Sequence, residues 1–251
     1  MTAVLSSSPS DRLWPYLSVT DSELLEPATE APAPAIARLV HDAFVGHVTS
    51  PAFACVGGKA ALSRGTYRVG MMGELGSADS AVALAEGLTE FVRERSVDDN
   101  DFFTYAAFFT GPVAQDEAGF ERLLWRQLEL LHRLDSQRWD PEVSADPADP
   151  RFSFSFGGHA YFVVGLHGGS SRWSRRFAWP TLIFNPHEQF EQLREDGRMA
   201  RWQEVIREQD AELQGSVNPN LGDFGELPEA RQYSGRRNPV DWKCPFHPKP
   251  S

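Results

Sequence analysis

RFSFSFGGHAYFVVGL, residues 151–166, is the stretch that decides the fold. Two short apolar runs flank the pair Gly157-Gly158, and paired glycines supply the positive φ angles that a tight antiparallel hairpin needs. A doubly wound parallel sheet has no natural place for such a hairpin. Strands and helices interleave around it, so the class is read as α+β, with a mixed or mostly antiparallel central sheet packed with helices. Toward the C-terminus, TLIFN (181–185) reads as another strand. Pro186 then opens a helix through Arg194, because its missing N–H would have no partner in a first turn. Gly197 breaks that helix, and a second runs to about Leu213. From Gln214 onward Gly, Pro and Asn recur without a period, which predicts a long irregular C-terminal tail wrapped on the body as ordered loop.

Toward the N-terminus, the Pro/Asp-rich loop DPEVSADPADP (140–150) follows the clearest helix, Asp116 to Leu134, where Phe120, Leu123, Leu124, Leu128 and Leu131 recur at helical spacing. FFTYAAFF (102–109) reads as a buried strand and Ser80 to Arg95 as an amphipathic helix. TYRVGMMGEL (66–75) reads as a strand, and FACVGGKAAL (53–62) as a strand entering a glycine turn and a short helix. A helix begins near Ala35, with Ile36, Leu39, Val40, Phe44 and Val48 on one face. Residues 1–35 contain SSSPS and EPATEAPAPA, so they are expected to be a flexible arm, with a short apolar contact at Leu13–Leu17. Residues 36–251 are then one domain.

The 251 residues are 41% hydrophobic and 12% aromatic, enough for a sizeable core. A net charge of −11 argues against nucleic acid as the main partner, since phosphate binding needs a basic surface. Three arginines nevertheless fall within residues 172–176, the pattern of a local cationic pocket. No window of about 18 apolar residues exists, so no membrane span is expected. The start, MTAVLSSSPSDR, is not read as a secretory signal, and two cysteines, Cys55 and Cys244, give no disulfide framework. The expected setting is cytoplasmic, with free thiols. A homodimer is left open.

Chemistry-bearing residues gather between His159 and Gly235. There is no GxGxxG after a strand, no GxxxxGK[ST], no GxSxG, no HExxH and no CxxC. His187 falls in the first turn of its helix, where the dipole favours neutral imidazole, the metal-binding form. Its plainer role is a helix-start histidine bonded to a neighbouring strand. His167 ends the YFVVGL strand, and the Gly168-Gly169 pair after it lets backbone approach a ligand closely. Arg172, Arg175 and Arg176, with Ser171 beside them, could fork onto the carboxylates of an acidic cofactor, or simply form a solvated basic loop. Glu188, Asp223, Glu226 and Glu229 supply carboxylates for a cationic group, or serve as caps and surface charges. Cys244 reads first as a buried thiol and second as a thiolate ligand.

FxCVGxKAAL at 53–62, FVVGLH...SSRxSRRF at 162–177, FNPHEQFExLR at 184–194, IRExDxxLQGSxNPxLxDFG at 206–225 and EARQYSGR...WKCPF at 229–246 resemble the YqcI/YcgG-type family. The likeness spans about residues 37–247. The chain departs from the family pattern at Ala54 and Gly168, where proline is commoner. Members in guanitoxin and D-cycloserine biosynthesis are heme-dependent enzymes. The resemblance therefore implies a heme b (iron) monooxygenase that N-hydroxylates the guanidino group of arginine or an arginine-derived compound. It implies His187 or His167 as the axial iron ligand, Arg172, Arg175, Arg176 and Ser171 toward the propionates, and Glu188, Asp223 or Glu229 toward the guanidinium. Dioxygen or peroxide would be the oxidant. The sequence carries no flavin or nicotinamide motif, so an external electron donor is expected. The competing expectations are a heme-binding sensor or carrier without turnover, and a structural protein whose arginines and histidines brace the tail.

Overall fold

Eight strands form one sheet in the order β3-β2-β1-β4-β5-β8-β7-β6. The structure is a computed structural model, and it describes residues 13–20, 23–95, 102–113, 115–218, 220 and 226–248. Among the described strands only β4 (Tyr67–Glu74) and β5 (Thr104–Gly111) pair in parallel, and the helix α3 (Ala78–Glu94) makes their crossover. The pairs of β5 with β8 (Thr181–Pro186), β8 with β7 (His159–Leu166), and β7 with β6 (Phe154–Phe156) are all antiparallel. The α+β class and the mostly antiparallel sheet are as expected. The deciding hairpin closes through Gly157 (φ 64°) and Gly158 (φ 81°), so both turn residues sit where a side chain would strain the backbone.

Helices cover both faces of this sheet. On one face α3 and α4 (Glu117–Leu134) bury Leu84, Leu88, Phe91, Phe120, Leu124 and Leu128 against Tyr105, Phe109, Val163 and Phe184. Ser77 and Asp116 cap these helices by accepting from Ser80 N and Gly119 N. The tail adds Phe246, 1% exposed, and the short helix α7 (Ala230–Tyr233) to the same layer. On the other face α1 (Ala35–Thr49) and α5 (His187–Glu195) cover Val69, Met71, Ala106, Phe108 and Ile183. Beyond them lie α2 (Val56–Arg64) and α6 (Arg198–Gln214), the latter following the left-handed Gly197 (φ 74°).

Three local expectations change. Of the expected arm, residues 13–20 and 23–35 are described, and they are largely ordered. Trp14–Thr20 forms β1, which pairs with β4 and with β2 (Glu23–Glu26), and Ala31–Pro32 forms β3. The reason is a tertiary anchor that composition does not reveal: Leu17 is fully buried, and the Tyr105 hydroxyl donates to the Pro15 carbonyl. Pro15 is tolerated because the β1–β4 register shifts between Trp14 and Leu17, so the proline sits at an irregularity. FACV is not a strand; Phe53 N closes a turn onto Ser50 O, and Cys55 caps α2. On α1 the buried face is Ala37, Val40, His41, Phe44 and Val48, whereas Ile36 and Leu39 are exposed. The buried stripe is rotated because His41 turns inward to meet the Tyr67 hydroxyl at 2.8 Å.

Candidate functional site

An apolar cleft opens between the sheet and the α5–α6 pair, with a cavity volume of about 160 Å³. Its sheet wall is Phe162, Val164 and Asn185, which fall on β7 and β8. Phe190, Met199, Trp202 and Ile206 come from the helices, and Phe102 closes one end. Polar groups are few: Cys55 at the start of α2, Arg194 and Arg207 from the helices, and Glu229 and Gln232 from the α7 segment. A broad apolar surface with a handful of polar groups is the usual make-up of a small-molecule or cofactor site.

Cys55 reaches the cleft because α2 begins there. A Cβ on Gly57 would stand 2.9 Å from the Phe102 ring and 3.1 Å from Trp202, so only glycine lets the helix start lie against these aromatics. The Cys55 Sγ accepts from Gly58 N at 3.4 Å, a weak cap. Cys55 is exposed, yet protein crowds its thiol. Burial pushes the thiol pKa up, and the Gly58 N–H and the Arg175 guanidinium oppose that shift. Binding to a metal would reverse the balance, since a coordinated thiol gives up its proton.

Glu229 is 5% exposed, and burial raises its pKa to about 8. Ser153 and Tyr233 lie near enough to oppose the rise, but both hydroxyls donate at 3.1 Å to the Tyr161 carbonyl. Glu229 Oε2 is left without a hydrogen-bond partner. A neutral buried carboxyl on a cleft wall is costly unless something completes it. His187, 4% exposed, stands beside it: Nδ1 lies 3.7 Å from Glu229 Oε1 and Nε2 3.1 Å from Glu191 Oε1. Burial lowers the His187 pKa, partly countered by Glu191.

The other expected site residues go elsewhere. His167 does not line the cleft. It is 1% exposed and stacks on Phe120 of the α4 layer, with centroids 4.3 Å apart. Neither ring nitrogen has a hydrogen-bond partner, and burial lowers the pKa to about 4. Arg172 pairs with buried Asp210 and donates to Ser216 O at 2.9 Å. Arg175 donates to the carbonyls of Gly165, Tyr233 and Gln232, and burial lowers its pKa to about 10. Arg176 donates to Ser170 O at 2.9 Å and lies over Trp173. Ser171 bonds Glu117 through N and Oγ at 2.9 and 2.7 Å.

The cationic loop therefore braces α6 and the C-terminal segment rather than facing the cleft. Residues 173–175 form a 3-10 turn. Glu188 pairs with the chain's own Arg95. Asp223 lies outside the described residues, and Glu226 is exposed. Of the expected carboxylates Glu229 lines the cleft, and Glu188 does not. Cys55 was read from the sequence only as a free thiol. Its place before two glycines at a helix start, inside the FxCVGxKAAL motif, was the available signal.

Among the described residues, no group of three or more His, Cys, Asp or Glu side chains is arranged to hold a metal ion. No helix there is long and apolar enough to cross a membrane. A profile of the YqcI/YcgG family matches residues 44–247. Two Bacillus subtilis (strain 168) proteins, each described as uncharacterized, are similar over most of their length. YcgG is 28% identical over 204 residues, covering 77% of this chain and 80% of YcgG. YqcI is 26% identical over 205 residues, with the same coverage of both chains, 77% and 80%. No solved structure gives a significant match.

Proposed function

Because the chain belongs to the YqcI/YcgG family, we propose that it is a heme-dependent monooxygenase that N-hydroxylates the guanidino group of arginine or an arginine-derived compound. The observation that carries this reading is the pairing, in one apolar cleft, of a thiol with a buried carboxyl whose Oε2 has no hydrogen-bond partner. The donor set fits heme b. Cys55 would hold the iron through its sulfur, the aromatic and aliphatic walls would cover the macrocycle, and Arg194, already paired with Glu191, and Arg207 are cations of the same lining that would face its carboxylates. Cys55 would hold the iron in place of His167 and His187, since neither histidine lines the cleft. When bound, the heme would supply oxygen activation, and a thiolate ligand favours O–O cleavage.

The chain's own residues bind and orient the substrate. A guanidinium is planar and always charged, and a carboxylate is its natural two-pronged acceptor. Glu229 is the buried carboxyl in the cleft, so it would receive the cation and lose its proton as it does so. The surrounding Phe162, Phe190 and Trp202 exclude water, which strengthens that pair. Reducing equivalents come from an external donor, or peroxide replaces both donor and dioxygen.

The test is expression with a heme supply, followed by incubation with arginine and a reductant, or with peroxide. Mass spectrometry is expected to show a product heavier by one oxygen, with the added atom on the guanidino group. Heme-loaded protein that leaves arginine and related guanidino compounds unchanged would point instead to a carrier or sensor. A colourless protein would remove the heme reading.

A further inference from the structure

We propose that Glu191 and His187 form a proton wire linking solvent to Glu229 in the cleft. The idea deepens the functional reading, since it concerns how the proposed guanidinium-binding carboxyl exchanges its proton. Glu229 is deeply buried, its side chain only 6% exposed. Each time a cation enters or leaves, the carboxyl must lose or regain a proton. The imidazole of His187 stands 3.7 Å from Oε1. Its other ring nitrogen meets Glu191 at 3.1 Å, and the Glu191 side chain is 45% exposed. Helical spacing places these two together: His187 opens α5 and Glu191 follows one turn later, at i+4. Arg194, three residues on, pairs with Glu191 and fixes its orientation.

The transfer balances in protons. The Glu229 O–H bond breaks as an N–H bond forms at His187 Nδ1. The Nε2–H bond breaks as Glu191 accepts that proton, and Glu191 releases it to water. Reprotonation of Glu229 runs the same steps in reverse, Nε2 taking a proton from Glu191 as Nδ1 returns one to Oε1, which restores the first tautomer with no charge accumulating on the ring. The gap from Nδ1 to Oε1 must close by about half an ångström to reach hydrogen-bond range, a shift within side-chain motion.

The groups facing the wire favour a carrier over a trap. Glu191 and Arg194 act on His187 from its own helix, and Asp140 acts from the loop after α4. Burial keeps the imidazole neutral at rest. Arg194, Glu191, Ser153 and Tyr233 act on Glu229.

The experiment is a stopped-flow pH jump across about 8 on the ligand-free protein, following the infrared carbonyl band of protonated Glu229. Glu229→Gln identifies the band. His187→Phe is expected to slow its relaxation by about 100-fold, the lower end of the range for a positioned acid–base group. Glu191→Gln, an isosteric change at a half-exposed side chain, should slow it too. Relaxation at the parent rate in folded His187→Phe, or in Glu191→Gln if the first variant does not fold, would overturn the wire. So would the absence of any band that Glu229→Gln removes. The readout needs neither heme nor arginine, so failure here is separate from failure of the proposed activity.

Discussion

Cys55→Ala should leave a folded protein that no longer retains heme. The expected loss of affinity exceeds about 100-fold, because even partners outside the immediate ligand shell are worth about 10–100-fold in metal affinity. Folding should survive, since Cys55 is exposed and its cap on Gly58 N is a long sulfur contact of 3.4 Å. His167→Ala and His187→Ala should keep the pigment. In the parent, the reduced carbonyl complex should absorb at longer wavelength than an imidazole-ligated one, as a thiolate requires. Retention of full heme by Cys55→Ala, with loss in either histidine variant, would return the ligand to the histidines. Absorption spectra of purified, heme-reconstituted variants decide the matter.

The second large effect belongs to Glu229. Glu229→Gln keeps the shape of the side chain and removes its charge, so it should weaken arginine binding by at least about 30-fold, roughly 2 kcal/mol, the lower range for breaking a buried charge pair. Glu188→Gln should change arginine binding little, because Glu188 is already paired with Arg95. The parent should also show a defined pH dependence. Glu229 ionises near 8 in the folded protein, against 4.5 for an ordinary glutamate. Below about 8 the carboxyl must shed a proton to receive a cation, so arginine affinity should rise about tenfold per pH unit and level off above that value.

The sign for folding is the reverse of the usual carboxylate case. A raised folded pKa means that the unfolded chain releases its proton first. Stability is therefore lost as pH climbs from 4.5 to about 8. Glu229→Gln should accordingly be more stable than the parent at the upper end of that window and closer to it at the lower end. Calorimetry of arginine binding and thermal unfolding across the window check both signs. Flat affinity between those limits would show that Glu229 is already ionised or does not meet the ligand.

Much of the architecture was legible because local signals agreed with tertiary ones. Gly157-Gly158 between two apolar runs can only be a tight turn, and Phe120, Leu124, Leu128 and Leu131 mark the buried side of α4. What could not be read depends on contacts distant in sequence. β1 is held by Tyr105, 90 residues away, in a segment whose composition favours disorder. The arginines at 172–176 were visible as a charge cluster, but their partners Asp210, Ser216, Gln232 and Tyr233 are brought to them only by the folded tail. Histidines attract attention as metal ligands. Here one is stacked beneath Phe120 and the other stands between two carboxylates, and a cysteine in a turn forms the cleft wall instead. Glu229 was legible as a candidate; its burial was not.

The central claim is that one cleft holds both heme at Cys55 and a guanidinium at Glu229. Titrating arginine into the heme-loaded protein while recording the heme absorption spectrum tests it most directly. The account predicts a saturable shift of the heme spectrum in the parent, with the same midpoint as arginine binding measured by calorimetry, and no shift at those concentrations in Glu229→Gln. Arginine that binds with full stoichiometry yet leaves the heme spectrum unmoved, or that shifts it equally in Glu229→Gln, would contradict it.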